Sequence, residues 1–196
     1  MSAATSLAVR LAEPERDAAA VAAVYRTAVE GSHISFEEHA PSPSEMAERM
    51  RSVLVRAPWL VAEVDGAVSG FAYAGPHHER AGYRWSVDIS VYVAEGHRGK
   101  GIGRMLYDAL LSYLRRQGIV NAYAGIALPN SASIALHESI GMHPIGVYER
   151  VGFKFGRWHD VTWYGLRLAE PEGLPPEPIP LPDLLALPMD AAGRSA

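Results

Sequence analysis

Three groups of residues in this 196-residue chain have the types and spacing to do chemistry. The first is Arg98-Gly99-Lys100-Gly101-Ile102-Gly103, which follows the strand-like run Val91-Tyr92-Val93 and opens an amphipathic helix. A helix N-terminus presents free backbone N–H groups, and alternating glycines remove the Cβ atoms that would keep a phosphate away. The second is Asp88. Period-two alternation puts Trp85, Val87, Ile89, Val91 and Val93 on one face of its strand, and Ser86, Asp88, Ser90 and Tyr92 on the other. A carboxylate beside two hydroxyls suits a general base, although simple exposure is the commoner fate of a strand aspartate. The third is His137, in a helix opened by Asn130. Its imidazole can exchange a proton near neutral pH, or merely pack or cap a helix face.

The loop spacing excludes the two commonest phosphate loops. No Lys-Ser or Lys-Thr follows the last glycine, and G-x-G-x-G is not the dinucleotide fingerprint G-x-G-x-x-G. A metal site is not expected at His137-Glu138, because Ser139-Ile140-Gly141 follows and brings no second histidine at zinc-protease spacing.

The elements that must position these groups follow from periodicity. Residues 7–11 predict a first strand, Pro14 sits where a helix can begin, and 18–29 and 42–55 predict helices, the second capped by Ser42 with Glu45 at the capping-box position. Residues 59–64, the Asp65-Gly66 turn and 67–74 predict a hairpin. A long strand over 83–93 leads into the loop. In the helix that follows, Ile102, Met105, Leu106, Ala109, Leu110, Tyr113 and Leu114 form the expected core stripe, with no chemistry assigned, and Gly118 stops it. A strand over 119–128, a short helix from Pro129-Asn130 to Gly141, and two strands within 145–168 complete the series. The order implies an α/β chain with a mixed sheet of about seven strands flanked by helices, less regular than a doubly wound nucleotide fold.

Composition bounds the reading. The chain is 48% hydrophobic and 20% charged, as for an ordinary globular domain, and its net charge of −4 argues against a nucleic-acid or anionic-membrane surface. It has no cysteine, which excludes disulfides and thiol chemistry and suits the cytoplasm. No apolar run reaches the length of a membrane span, and the first seven residues lack the features of a signal peptide. Seven of the fourteen prolines lie between Pro171 and Pro188, so residues 1–170 read as one domain and 171–196 as an extended tail. That tail either wraps a partner subunit or lies loose, and a loose terminus is the expectation.

The pattern R-x-x-G-x-G after the fourth strand resembles the acetyl-CoA loop of GNAT-superfamily N-acetyltransferases. The blocks Pro58-Trp59-Leu60-Val61-Ala62-Glu63-Val64-Asp65-Gly66, Phe71-Ala72-Tyr73-Ala74-Gly75-Pro76, Leu128-Pro129-Asn130, Leu136-His137-Glu138 and Trp158-His159-Asp160-Val161 make the chain similar to phosphinothricin N-acetyltransferases over residues 9–168. The resemblance implies a GNAT fold and acetyl transfer from acetyl-CoA to the α-amine of phosphinothricin, methionine sulfoximine or methionine sulfone. It also implies a homodimer, with no metal, nucleic acid or membrane partner. By the same resemblance Val91, Tyr92, Val93, Arg98, Gly99, Lys100, Gly101, Ile102, Gly103 and Arg104 hold acetyl-CoA. Asn130 caps its helix and also reaches the cofactor. Asp88, where the family has a glutamate, and His137, where many GNAT enzymes have a tyrosine, become the acid/base pair, with the base role open between them. Asp is one methylene shorter than Glu, about 1.5 Å of reach, so its contact with the amine can run through a water. Phe36, Arg80, Tyr83, Ser90, Tyr92 and Val161 are implied to bind the acceptor, Phe36 as an aromatic lid and Arg80 as the partner of an anionic group. His77 and His78 stand where the family often has an aromatic and a lysine. Two other activities fit the same motifs: acetylation of peptide N-termini, which needs an open groove, and non-catalytic CoA sensing, which needs neither Asp88 nor His137.

Overall fold

The computed structural model describes residues 6–188. Seven strands form one sheet: β1 (Leu7–Leu11), β2 (Trp59–Val64), β3 (Ala67–Pro76), β4 (Ser86–Val93), β5 (Asn121–Ala127), β6 (His143–Lys154) and β7 (Arg157–Arg167). Their order is β1-β2-β3-β4-β5-β7-β6, with every neighbouring pair antiparallel except β4 and β5. The helices are α1 (Pro14–Gly31), α2 (Pro43–Leu54), α3 (Ile102–Arg116), α4 (Ser131–Ser139) and α5 (Leu181–Ala186).

The alternation along β4 divides two cores. Val87 and Ile89 are buried beneath α3, with Val91 and Val93 packed beside them. Tyr92 faces the other way, onto the cluster formed by α1, α2, Trp59 and Phe71. The capping box forms at α2: Ser42 Oγ accepts the Glu45 N–H at 3.3 Å, and the Glu45 carboxylate accepts the Ser42 N–H at 2.7 Å.

Some boundaries shift for identifiable reasons. α1 starts at Pro14, the position expected to open it ahead of the 18–29 run, and the Asp17 carboxylate accepts the Glu13 N–H at 2.7 Å and satisfies an N-terminal donor. The strand expected from residue 83 begins at Ser86, since Ala81–Tyr83 form a 3-10 turn. The buried stripe of α3 runs through Ile102, Leu106, Tyr107, Leu110, Leu111 and Leu114; Met105 is exposed. Tyr107, an aromatic left out of the expected stripe, is wholly buried because its hydroxyl has a partner, described below.

The tail is not loose within the described residues. Pro176 carbonyl accepts the Trp85 indole N–H at 2.7 Å, Ile179 N–H donates to Gln117 carbonyl at 2.8 Å, and Leu181 N–H donates to Arg56 carbonyl at 3.1 Å. Leu181 and Leu184 of α5 are buried. Prolines removed donors along this stretch, yet the remaining N–H groups sufficed to dock it. Residues 189–196, the end of the expected tail, and 1–5 lie outside the described residues.

A partly buried ion cluster ties β1 to α1 and β2. Arg10 donates to both Asp17 oxygens at 2.7 Å and to Glu63 at 2.6 Å, and Asp17 is 1% exposed. Burial alone would raise the Asp17 carboxyl, but the Arg10 fork and the Glu13 N–H hold it below its ordinary value. The stability it contributes is therefore present above the unfolded value of about 4 and is lost as pH falls through the folded one. Asp17→Ala should cost about 3 kcal/mol at pH 7 in urea denaturation, and less in acid. An unchanged midpoint at pH 7 would contradict this pairing.

Candidate active site

β4 and β5 run together only over Ser86–Asp88 against Asn121–Tyr123. Beyond Asp88 no β5 residue pairs with β4, although β4 continues to Val93 and β5 to Ala127. The strands part there and open a cleft of about 70 Å³, lined by Ile89, Ser90, Val91 and Tyr92 on one side and Gly125, Ile126 and Ala127 on the other. Tyr107, Asn130, Ser133 and His137 close it. The free edge of β4 offers main-chain donors and acceptors to an extended ligand, as strand addition requires.

The glycine loop lies at the end of β4. Gly99 and Gly101 have φ of 73° and 82°, where side chains are strained, and a Cβ at either would meet nothing within 4 Å. The first bond of α3 runs from Met105 N–H to Gly101 carbonyl, so the N–H groups of Ile102, Gly103 and Arg104 precede it. Gly103 packs closely: a Cβ there would fall 3.0 Å from the end of the Leu136 side chain of α4. The charged side chains of the loop turn back on the protein. Arg98 donates to Val93 carbonyl, Lys100 to Gly96 carbonyl, and Arg104 to Asp108 and Ser139 carbonyl. The cradle is thus backbone, open and positive at a helix N-terminus, which fits a pyrophosphate.

Asp88 sits where the strands begin to part. His77 Nδ1–H donates to its Oδ1 at 2.7 Å, a partner that sequence reasoning missed. Gly75 pairs with Asp88 across β3 and β4, so His77, two positions on and just past the end of β3, shares the face of Asp88, which is the register signal that could have found it. Burial raises the Asp88 carboxyl above its ordinary value, and the His77 hydrogen bond and the charges of His77 and His78 oppose that rise.

His137 lies at the closed end of the cleft and is 4% exposed. Its Nδ1–H donates to the Ser133 carbonyl at 2.7 Å, one turn back on α4, which leaves Nε2 to accept the Tyr107 hydroxyl at 2.9 Å. Burial pushes the imidazole down, against the Ser133 bond, so it is held neutral. Tyr107 is the second missed residue; its phenol is pushed far up by burial and keeps its proton. Asn130 caps α4, its Oδ1 accepting the Ser133 N–H at 3.1 Å, and it also lines the cleft. Among the described residues no cluster of ligating side chains could hold a metal ion.

Of the six residues singled out for the acceptor, two line the cleft and four do not. Ser90 and Tyr92 line the cleft, although the Tyr92 ring packs on Tyr25 at 4.8 Å and on Phe71 at 5.2 Å. Arg80 is exposed and heads the turn that carries Tyr83; the Tyr83 ring is 4.7 Å from that of His78. Val161, on β7, contacts the position of Gly125. None of these six residues lines the larger cavity, about 450 Å³, between α2 and the strands carrying Trp59, Phe71 and Tyr73.

Phe36 lies in the 32–42 loop between α1 and α2, its ring over Gly152, where any Cβ would overlap it. The loop is anchored by Lys154. This buried ammonium donates to the carbonyls of Val29, Ser35 and Glu37. Tyr25 hydroxyl bonds Ser35 and Glu37, and Arg49 grips Glu37 through both nitrogens. Lys154→Met strands three carbonyls, so it should loosen the loop and raise the acceptor KM about tenfold without changing the acetyl-CoA KM. Steady-state kinetics with each substrate varied in turn checks this; an unchanged acceptor KM would separate the loop from acceptor binding.

Residues 10–163 match the acetyltransferase (GNAT) domain family, and the chain belongs to that family. It is 39% identical over 163 residues to a phosphinothricin N-acetyltransferase of Streptomyces viridochromogenes, covering 83% of this chain and 88% of the relative. It is 37% identical over 165 residues to the L-methionine sulfoximine/L-methionine sulfone acetyltransferase of Salmonella typhimurium, covering 84% and 96%. A solved GNAT superfamily phosphinothricin acetyltransferase from Sinorhizobium meliloti, in complex with acetyl-CoA, has a TM-score of 0.84 at 33% identity and covers 91% of this chain and 98% of that one. The likeness to phosphinothricin N-acetyltransferases drawn from the sequence blocks holds, as does the seven-stranded fold.

Proposed function

We propose that this protein transfers the acetyl group of acetyl-CoA to the α-amine of a small amino-acid-like acceptor, with phosphinothricin, methionine sulfoximine and methionine sulfone as the first compounds to test. The observation that carries the reading is the parting of β4 from β5, with a backbone phosphate cradle at one end and a partly buried carboxylate where the strands separate. The α3 N-terminus holds the pyrophosphate, and the free edge of Val91, Tyr92 and Val93 pairs with the pantetheine arm. A main-chain N–H near Tyr92 polarises the thioester carbonyl.

Asp88 is the base. An amino-acid ammonium loses its proton with a pKa of about 9 or more, so almost no free amine exists at pH 7 without a positioned acceptor for that proton. His137 is a poorer candidate because it is buried, neutral and bonded at both ring nitrogens. With Tyr107 it forms the polar end of the cleft, where the leaving thiolate needs a donor. Arg80 and Tyr83 face the acceptor's acidic end, and Phe36 covers it.

A second copy of the chain completes the assembly. On β6, at the end of the sheet order, the apolar side chains of Ile145, Val147, Tyr148, Val151 and Phe153 are all exposed, and a second copy packed on this strand would cover them. No described helix is long and apolar enough to cross a membrane, and a cysteine-free enzyme drawing on acetyl-CoA belongs in the cytoplasm.

The test is thiol release from acetyl-CoA with phosphinothricin, methionine sulfoximine, methionine sulfone, common amino acids and a short peptide. Release with one or more free amino acids and little with the peptide is expected. Release with the peptide alone, or with nothing, would overturn the reading.

A further inference from the structure

The partner of Asp88 is the feature the proposed reaction leaves unexplained. His77 follows β3 directly, and its N–H donates to Ser86 carbonyl at 3.3 Å, which extends the β3–β4 pairing past Pro76. Gly75 pairs with Asp88 across the two strands, so His77, two positions further on, is on the face that carries the Asp88 carboxylate. Tyr123 from β5 at 4.6 Å, His78 at 4.4 Å, Trp163 from β7 at 6.0 Å and Tyr83 from the 3-10 turn at 6.1 Å surround the ring. The side chains are 21% and 37% exposed, so the 2.7 Å bond is shielded from water but not sealed from it.

We propose that His77 is a positioning residue for acetyl transfer: its Nδ1–H holds one oxygen of the Asp88 carboxylate, and the charge on its ring sets how strong a base that carboxylate is. This rests on Asp88 being the base. With His77 neutral, the pair carries one negative charge, and the free Asp88 oxygen takes the proton. The N–H bond of the acceptor ammonium breaks and an O–H bond forms on Asp88; the electron pair left on nitrogen forms the C–N bond to the thioester carbonyl carbon as the C–S bond breaks, and the leaving thiolate takes up the second proton that the nitrogen sheds, giving the amide and free CoA. With His77 protonated at Nε2, the imidazolium neutralises the carboxylate and the same transfer slows. The groups that face the pair are His78, Tyr83 and Tyr123 around the ring, and Tyr73 on the β3 side of Asp88. Of these, His78 is the other imidazole, which His78→Gln tests separately.

The experiment is the pH dependence of kcat at saturating acetyl-CoA and acceptor for the wild type, His77→Gln, His77→Phe, His78→Gln and Asp88→Asn. Glutamine can still donate to the carboxylate but does not titrate. His77→Gln should keep kcat within about threefold of wild type above pH 8, with an acid limb moved down by about one pH unit or more. His77→Phe keeps a ring but no donor, and should lose about tenfold at every pH. His78→Gln should leave the limb where it is. An acid limb unmoved in His77→Gln, or wild-type kcat in His77→Phe, would overturn the role of His77. Wild-type kcat in Asp88→Asn would instead overturn the reading of Asp88, so the two failures are distinguishable. Thermal melting of each variant, and its acetyl-CoA KM, separate these results from misfolding.

Discussion

Asp88→Asn should slow acetyl transfer at pH 7 by about an order of magnitude or more, with the acetyl-CoA KM unchanged. The amide preserves shape and can still bond His77, but it cannot take a proton from the acceptor. In the proposed reaction donor binding rests on the backbone cradle and the β4 edge beyond Asp88, which this substitution leaves in place. The deficit should shrink as pH approaches about 9, where the free amine becomes plentiful and needs no base. That convergence separates a lost base from a lost contact, because a contact would be missed equally at every pH. Turnover within about twofold of wild type at pH 7 would remove Asp88 from the mechanism.

Gly101→Val should raise the acetyl-CoA KM by about tenfold or more, with a smaller effect on kcat. Gly101 holds φ at 82° just before α3. A β-branched residue there costs about 1–2 kcal/mol in backbone strain, and relief of that strain would turn the first N–H groups of α3 away from the phosphates. The added side chain also enters the space next to the loop that contains no protein atoms within 4 Å. Substrate-varied kinetics and direct binding of CoA check this. An unchanged KM would mean that the loop is only a strand-to-helix turn.

The geometry of the glycine loop is legible because it lies in consecutive residues: strand, glycines and helix start are adjacent in the chain. The capping box at Ser42 and Glu45, the hairpin turn at Asp65-Gly66 and the two faces of β4 were legible for the same reason. The partners of Asp88 and His137 were not. His77 reaches Asp88 through the register of two strands, 11 residues apart in sequence, and Tyr107 reaches His137 from another helix, 30 residues away. Tyr107 was also concealed by its setting, since an aromatic in a helical stripe reads as packing whether or not its hydroxyl is engaged. The Lys154 anchor crosses more than a hundred residues to reach the 32–42 loop, and no local pattern announces a lysine whose charge is spent on main-chain carbonyls. Prolines misdirected the reading of the tail, because they mark the donors a segment lacks but not the few that remain to dock it.

The central claim is that the α-nitrogen of a small acceptor attacks the thioester of acetyl-CoA directly. Acetyl-CoA labelled with heavy carbon at its carbonyl, and methionine sulfone labelled with heavy nitrogen at its α-amine, can be followed together by nuclear magnetic resonance. The account predicts one new product in which the labelled carbonyl and the labelled nitrogen are coupled through an amide bond, formed as free CoA appears. Labelled acetate released without that coupling, or label retained on the protein, would contradict it.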